Sequence, residues 1–271
     1  MAARPGAAQT GAAQTGAART QEQLAGSQFG AQAGEYLASA VHAVGDDLVA
    51  LAALADGFAG AAALDLGCGG GHVSFTLAPR VGSVVACDLS AAMLGVVAAE
   101  AARRGLANLA TRQASADRLP FADAGFDLVC SRYSAHHWRD LPAGLREAAR
   151  VLRPGGTAVF IDTVSPGTPV LDTFLQAIEL LRDPSHVRNH TRAEWEAMLA
   201  AAGLAVGLTR AFPLRLDFAS WVARMRTPSA QVAAIRALQA AVAEDVRRHF
   251  AVAADGSFSL AVAMLVATRP A

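Results

Sequence analysis

The 271-residue sequence predicts an α/β fold built on a mostly parallel β-sheet. Short apolar runs typical of strands alternate with segments in which apolar residues recur at helical spacing. A glycine-rich turn, DLGCGGGH (residues 65–72), overlaps the end of the first run, and Asp88 ends the second. Turns that follow strands in this way are where open parallel sheets bind their ligands.

The N-terminal segment is predicted to be a disordered tail over residues 1–26. The motif GAAQT occurs twice in tandem and is followed by GAART, with almost no bulky apolar side chains. Such a composition buries too little apolar surface to offset the entropy lost on ordering. Residues 27–59 are predicted to form an N-terminal helical cap of two helices, broken near Gly45, with Asp46 capping the second.

An α/β domain is predicted to extend from residue 60 to residue 271. Its strands are predicted at short apolar runs bounded by turn residues. In chain order these runs are AALDLG, SVVACD, NLATRQA, FDLVCSR, TAVFIDT, LAVGLTRAF and SFSLAVAMLVATRP. Strands that alternate with helices form a parallel sheet covered on both faces, with right-handed crossovers.

The helices between these strands are predicted from periodicity and from their caps. One lies within residues 72–80 and ends at Pro79, the next follows the cap Ser90, and a third spans LPAGLREAARVLRPGG. Thr191, followed three residues later by Glu194, predicts a capping box at the start of TRAEWEAMLAAAG.

Two insertions, at about residues 168–190 and 217–250, interrupt the alternation and are predicted to be largely helical. Together with the N-terminal cap they are expected to cover the ligand site as a lid. A packing or surface role is favoured over ligand contact for their polar and aromatic residues, which are Tyr36, His42, His186, Arg188, His190, Trp221 and Arg224.

The composition argues against several classes of partner. The chain has no net charge, so it lacks the basic excess with which proteins neutralise nucleic-acid phosphates. No apolar run reaches the ~20 residues of a membrane span. The N-terminus lacks the apolar centre of a signal peptide, so a cytoplasmic location is expected. All 23 basic residues are arginine and alanine is abundant, which indicates a GC-rich bacterial source.

The three cysteines are predicted to be buried free thiols. Cys68, Cys87 and Cys130 lie at the ends of predicted strands, and no two have the CxxC spacing of zinc ligands. No metal site is therefore predicted.

The unusual polar residues follow the predicted strands at their carboxyl ends. Asp65 ends the first strand, Asp88 the second, and Asp117 follows the third. An acid at the second strand is typical of sites that bind ribose hydroxyls. A dinucleotide site also requires G-x-G-x-x-G, and here His72 occupies the last glycine position. The observed spacing is instead G-x-G-x-G.

This motif, together with Asp88, Asp117 and the segment VLRPGG, closely resembles class I S-adenosylmethionine (SAM)-dependent methyltransferases. The resemblance covers about residues 60–165 and, more loosely, the whole chain. The segments LPFAD, SRYSAHHW and RVLRPGG resemble the UbiE/BioC-type branch, and SRYSAHHW with SHVRN and WVARMRTP resembles the YafE-like bacterial methyltransferases. The resemblance implies a Rossmann-like seven-stranded sheet with the last strand antiparallel, helical lid insertions, and SAM as methyl donor.

The resemblance also implies how the ends of the first two strands hold the cofactor. Gly67, Gly69 and Gly71 would let the backbone approach the methionine part and the ribose. Asp65 would lie near the methionine ammonium, and Asp88 would accept hydrogen bonds from both ribose hydroxyls.

Further residues are implied around the adenine and the methionine. Leu89 and Met93 would wall the adenine, although a core role for Met93 is as well supported. The backbone N–H of Ala116 and the carboxylate of Asp117 would meet the adenine edge. Either Ser131 or Arg132, which end the fourth strand, would lie along the methionine moiety.

The expected reaction is methyl transfer to a small-molecule acceptor, with attack by carbon or oxygen favoured. A base is needed only where the nucleophile is protonated, and His136 and His137 are the candidates because imidazole titrates near neutrality. A packing role for either histidine remains the alternative.

Two other functions are weighed against methyl transfer. An NAD(P)-dependent oxidoreductase is disfavoured by the missing third glycine and by the absence of a Tyr-x-x-x-Lys pair in a chain without lysine. A non-catalytic SAM-binding protein would share the same motifs, so only a turnover assay separates it from an enzyme.

Overall fold

The computed structural model describes residues 19–30 and 45–271. Its strands form one seven-stranded sheet in the order β3-β2-β1-β4-β5-β7-β6. The strands are β1 Ala62–Leu66, β2 Ser83–Asp88, β3 Leu109–Gln113, β4 Phe126–Arg132, β5 Leu152–Val164, β6 Ala205–Leu216 and β7 Phe258–Thr268. The pairs among β1 to β5 are parallel, and β7 runs antiparallel to both β5 and β6. The predicted sheet is confirmed, including its antiparallel last strand.

Helices connect these strands, and two short 3₁₀ turns lie at Asp56–Phe58 and Ala135–His137. In the described ranges the helices are α1 Gln21–Gly30, α2 Asp46–Ala55, α3 His72–Leu77, α4 Ala91–Arg103, α5 Leu141–Val151, α6 Pro169–Arg182, α7 Arg192–Ala201, α8 Phe218–Arg224, α9 Ser229–Ala241 and α10 Glu244–His249. None of the helices in these ranges has the length and apolar character needed to cross a bilayer.

Helix α1 corrects the boundary of the predicted tail, because residues 21–26 are helical. Thr20 and Gln23 explain its start. The Gln23 N–H donates to Thr20 Oγ1 at 3.2 Å, and the Thr20 N–H donates to Gln23 Oε1 at 2.9 Å. This reciprocal pattern is a capping box. The sequence contains this signal, but the low-complexity composition of residues 1–26 led to the prediction of a disordered tail.

The predicted helical cap is described only in part. Residues 1–18 and 31–44, which include most of the predicted tail and the lid candidates Tyr36 and His42, lie outside the described ranges. Helix α2 starts at Asp46 with Gly45 as its N-cap, so the prediction that Asp46 is the cap was wrong. No side chain caps this helix end.

The other predicted caps are observed. Ser90 Oγ accepts a hydrogen bond from the Met93 N–H at 3.3 Å at the start of α4. Thr191 and Glu194 form the full capping box of α7. These local signals are reliable because they satisfy helix-end N–H groups without help from distant residues.

Both faces of the sheet are buried, as the alternation of strand side chains requires. On β5, Phe160 packs with Leu145 of α5 and Trp195 of α7 on one face. Its neighbour Ile161 packs with Leu51 of α2 on the opposite face. The three cysteines are free and buried, as predicted.

The two insertions form a cluster of their own. Phe174 of α6, Trp221 of α8 and Phe250 after α10 pack with Phe258 at the start of β7. Trp221 is therefore a packing residue. This arrangement places the insertion helices beyond the carboxyl end of β5, next to the edge of the sheet where ligands bind.

Candidate functional site

A cleft of about 1140 Å³, including its part open to solvent, lies at the carboxyl ends of β1, β2 and β4. The strand order reverses at β1, which makes this the topological switch point of the sheet. Of the residues predicted for the site, those that line the cleft are Asp65, Gly67, Gly69, Asp88, Leu89, Met93, Ala116, Asp117, Arg132 and His137. Gly71, Ser131 and His136 do not line it.

The glycines of the first turn serve different purposes. Gly67 has φ +71°, and a Cβ there would lie 1.8 Å from the Oγ atom of Ser134, so the close approach of Ser134 requires glycine. Gly69 has φ +48°, and a Cβ there would meet nothing within 4 Å. The backbone at Gly69 therefore faces open space in the cleft, where a ligand can approach it.

Gly71 and Ser131 do not reach the cleft. A Cβ on Gly71 would lie 2.9 Å from Val97 Cγ2 and 3.0 Å from the ring of Phe75, so this glycine allows α3 to pack against α4. Ser131 is buried within β4, and its Oγ has no hydrogen-bond partner among the described residues.

Asp65 presents a buried carboxylate with one unused oxygen. Its Oδ2 accepts hydrogen bonds from the Ser74 N–H at 2.9 Å and the Ser74 hydroxyl at 2.6 Å. Its Oδ1 is buried and has no partner in the described part of the chain. Burial raises the pKa of Asp65 to about 7, even though the bonds from Ser74 oppose this shift. A cationic group in the cleft would supply the missing partner.

Asp88 is fixed by two backbone donors. Its Oδ2 accepts from the Gly69 N–H at 2.9 Å, and its Oδ1 accepts from the Ser90 N–H at 2.8 Å. Burial raises its pKa. Each oxygen keeps a second lone pair, so this carboxylate can still accept hydrogen bonds from two ligand hydroxyls.

Asp117 lies at the far end of the cleft, within a charged group. The Ser115 hydroxyl and the Arg139 guanidinium, whose Nη2 lies 3.0 Å from Oδ2, lower the pKa of Asp117. The Ser115 Oγ atom also lies 3.3 Å from Glu22 Oε1 of α1, within reach of the same hydroxyl proton.

Helix α1 supplies a wall of the cleft that the sequence analysis missed, through Gln21, Glu22, Ala25 and Gly26. The missed signal is the capping box that starts this helix.

Arg132 lines the cleft, but its charge is committed elsewhere. Its guanidinium makes a buried ion pair with Asp47 of α2 and lies 4.5 Å from the ring centroid of Tyr133. Tyr133 has φ +50°, a left-handed conformation that costs about 1–3 kcal/mol for a non-glycine residue. No local pattern in the sequence connects Asp47 to the site.

Two histidines follow β4 and differ in their partners. His136 Nδ1 lies 2.5 Å from Asp162 Oδ1, at the end of β5. His137 Nδ1 lies 3.1 Å from the carbonyl oxygen of Ser185, in the loop after α6. Their ring centroids are 4.2 Å apart, and the ring of His186 lies 5.8 Å from that of His136.

The protonation preferences of these rings diverge. Burial lowers the pKa of His136, but the Asp162 carboxylate more than compensates and the net shift is upward. Burial and the neighbouring His136 lower the pKa of His137 to about 4. Burial also lowers that of His186, to about 2.

The sequence matches a methyltransferase family model and several bacterial proteins. The family model described as "Methyltransferase domain" matches residues 64–160. YafE of Escherichia coli (strain K12) is 50% identical over 201 residues, which cover 74% of this chain and 97% of YafE. The methyltransferase YcgJ of Bacillus subtilis (strain 168) is 36% identical over 201 residues, which cover 74% of this chain and 79% of YcgJ.

The fold agrees with these matches. The crystal structure of YcgJ superposes with a TM-score of 0.80 at 32% identity, covering 83% of this chain and 99% of YcgJ.

The sequence also matches part of the ubiquinone/menaquinone biosynthesis C-methyltransferase UbiE of Brucella anthropi. The two are 36% identical over 113 residues, which cover 40% of this chain and 43% of UbiE.

Proposed function

Since the chain belongs to the class I SAM-dependent methyltransferases and is close to the YafE-like proteins, we propose that it methylates a small-molecule acceptor at carbon or oxygen. The observation that carries this proposal is the pair of aspartates at the switch point. Asp65 Oδ1 is buried without a partner, and Asp88 is held by two backbone N–H groups at the edge of the cleft.

These residues fit SAM better than a dinucleotide. The α-ammonium of SAM would pair with Asp65, and the ribose hydroxyls would donate to Asp88. A pyrophosphate would instead bring negative charge beside two carboxylates, which costs free energy in a partly buried site. The open space above Gly69 leaves room for the backbone of the turn to meet the ligand.

The remaining cofactor contacts are proposed from the residues that line the cleft. Leu89 and Met93 would flank the adenine, and Ala116 with Asp117 would meet its polar edge. Gly71 supports these residues by allowing α3 to pack against α4, and Asp47 holds Arg132 at the end of β4. When bound, SAM supplies a methyl carbon on a positively charged sulfur, and the C–S electron pair stays on sulfur as the acceptor's electron pair bonds to that carbon.

A small acceptor is supported by the setting of the cleft. The chain has no net charge and therefore no basic excess suited to a nucleic acid. The insertion helices pack on one another beyond the carboxyl end of β5, next to this edge of the sheet. The UbiE relative is named for C-methylation in quinone biosynthesis, which is a small-molecule reaction.

Isothermal titration calorimetry tests the cofactor assignment. The full-length protein is expected to bind SAM and S-adenosylhomocysteine (SAH) and to give no heat with NADH. Tight NADH binding without SAM binding would overturn the proposal. Mass spectrometry of small molecules that co-purify with the protein then provides acceptor candidates, and SAH release with such a compound separates an enzyme from a non-catalytic SAM-binding protein.

A further inference from the structure

The side chain of His136 is held on one side by a buried carboxylate. Asp162 Oδ1 faces His136 Nδ1 at 2.5 Å, and Asp162 Oδ2 accepts from the His136 backbone N–H at 3.2 Å. An ionised carboxylate only accepts hydrogen bonds, so Nδ1 carries the proton. In the neutral ring the lone pair then lies on Nε2. Asp162 thereby fixes both the tautomer and the orientation of His136.

The second nitrogen of His136 is available to a ligand. Nε2 makes no hydrogen bond to any residue in the described ranges, and the side chain is 15% exposed. In His186, by contrast, the nitrogen without a hydrogen-bond partner, Nδ1, is buried and inaccessible to solvent. His136 does not itself line the cofactor cleft, but its ring centroid lies 4.2 Å from that of His137, which does. His136 therefore combines a fixed tautomer with an accessible lone pair beside the cleft, at the carboxyl ends of β4 and β5.

His137 lines the cleft, but both of its ring nitrogens lie near groups of the protein. Its Nδ1 points to the Ser185 carbonyl, and its Nε2 lies 3.9 Å from Asp183 Oδ2. Both nitrogens thus face the turn at residues 183–185. The Ser185 carbonyl also accepts from Gln21 Nε2 of α1 at 2.6 Å. His137 serves as an anchor between the site and this turn.

The charges around His136 make it the most easily protonated of the three neighbouring histidines, His136, His137 and His186. The groups that face it are Asp162 on β5, Glu179 and Asp183 at the end of α6, and the imidazoles of His137 and His186. The carboxylates raise the pKa of His136, whereas those of His137 and His186 are lowered to about 4 and about 2. Of the three rings, His136 therefore keeps its proton to the highest pH. A base whose pKa lies near the working pH is the most efficient general base.

We propose that Asp162 is a positioning residue that makes His136 the general base of the reaction, and that the acceptor is a phenol or an enol. The acceptor O–H proton passes to His136 Nε2, and the electron pair released attacks the methyl carbon from oxygen or from the conjugated carbon. This proposal rests on the proposed methyl transfer and assigns Asp162, which the sequence analysis did not single out.

Nuclear magnetic resonance of ¹⁵N-labelled histidine tests the positioning role without an acceptor. The full-length protein, saturated with SAH, is titrated with acid and base, and His136→Gln assigns the ring signals. His136 is expected to show the Nδ1–H tautomer and a titration midpoint above 6.5, with His137 neutral down to about pH 5. In Asp162→Asn the His136 midpoint should fall by about one to three pH units. An unchanged midpoint, or a His137 ring that titrates near neutrality, overturns the proposal.

Activity tests the base and the acceptor class together. SAH release is measured with a panel of phenols and 1,3-diketones, which are largely enolic. The expected rate rises with pH through the His136 midpoint, and Asp162→Asn and His136→Gln should lose about 10²–10⁴-fold. SAM affinity in both variants should stay within about twofold of the parent. If SAM binds but no compound of the panel gives SAH, the acceptor class is wrong; if SAM itself does not bind, the proposed function fails instead.

Discussion

Arg132 and Asp47 form a buried bidentate ion pair that ties α2 to the carboxyl end of β4. Arg132 Nε lies 2.5 Å from Asp47 Oδ2, and Nη2 lies 3.1 Å from Oδ1. Only 4% and 6% of the two side chains are exposed. Because Arg132 also lines the cleft, this pair links the N-terminal part of the fold to the floor of the site.

Removing one partner of this pair should be strongly destabilising. Asp47→Asn removes the carboxylate that pairs with a buried guanidinium, so the free energy of unfolding is expected to fall by about 3–5 kcal/mol. Urea denaturation followed by circular dichroism measures it. The exposed pair between Arg247 and Glu244 gives the control, since Glu244→Gln should change stability by less than about 0.5 kcal/mol. Equal effects of the two substitutions would contradict the role given to Asp47.

Asp88 should contribute more to cofactor affinity than any other side chain of the cleft. A carboxylate that accepts from two hydroxyls gains roughly 1.5–3 kcal/mol per charged hydrogen bond. Asp88→Ala is therefore expected to weaken SAM binding by at least about tenfold, with Asp88→Asn between that variant and the parent. Calorimetric titration gives the affinity, and circular dichroism checks the fold. Parent-like binding by Asp88→Ala would remove the ribose assignment.

The affinity for SAH should depend on pH through Asp65. Its pKa of about 7 in the free protein means that the carboxyl is largely protonated at pH 6. An ammonium ligand binds the ionised form, so affinity is expected to fall as pH drops below 7, by up to about tenfold per pH unit. Titrations between pH 5.5 and 8.5 measure the slope. Asp65→Asn should bind more weakly and lose this pH dependence; a slope that persists in the variant assigns it to another group.

Gly69 and Gly71 form a matched pair of tests. Both have positive φ, so alanine strains the backbone by about 1–2 kcal/mol at either position. Gly71→Ala also places a Cβ against Val97 and Phe75, and it should lose more thermal stability. Gly69→Ala places its Cβ in the open cleft and should mainly weaken SAM binding. A larger loss of stability in Gly69→Ala, or a larger loss of SAM affinity in Gly71→Ala, would contradict the roles given to the two glycines.

Two N-terminal truncations, one that keeps helix α1 and one that removes it, should differ in their affinity for SAM. Deleting residues 1–18 is expected to leave SAM affinity nearly unchanged, because the capping box and the helix are kept. Deleting residues 1–30 removes the contacts of Gln21 with Ser185 and of Glu22 with Ser115, and it opens one wall of the cleft. Affinity is then expected to fall by about fivefold or more. Equal affinity for both truncated proteins would mean that α1 does not cover the cofactor.

The sequence alone determined the sheet and the edge at which its polar strand ends meet. Strand and helix periodicity, the caps Ser90 and Thr191, and the positions of Asp65 and Asp88 at the carboxyl ends of consecutive strands are local properties. The topology of a parallel sheet then brings the ends of those strands together, so the two aspartates meet in one cleft without further information. The predicted order of elements from β1 to β7 is accordingly observed.

The tertiary structure decided which residues act through which others. The partners of Arg132 and His136 lie 85 and 26 residues away, and Gln21 meets Ser185 across 164 residues. No periodicity encodes such pairs, because they depend on which side chains the packed helices and loops bring within hydrogen-bond distance. The same packing sets His137 against the Ser185 carbonyl and His136 against Asp162, and it gives each imidazole its own pKa through burial and nearby charge.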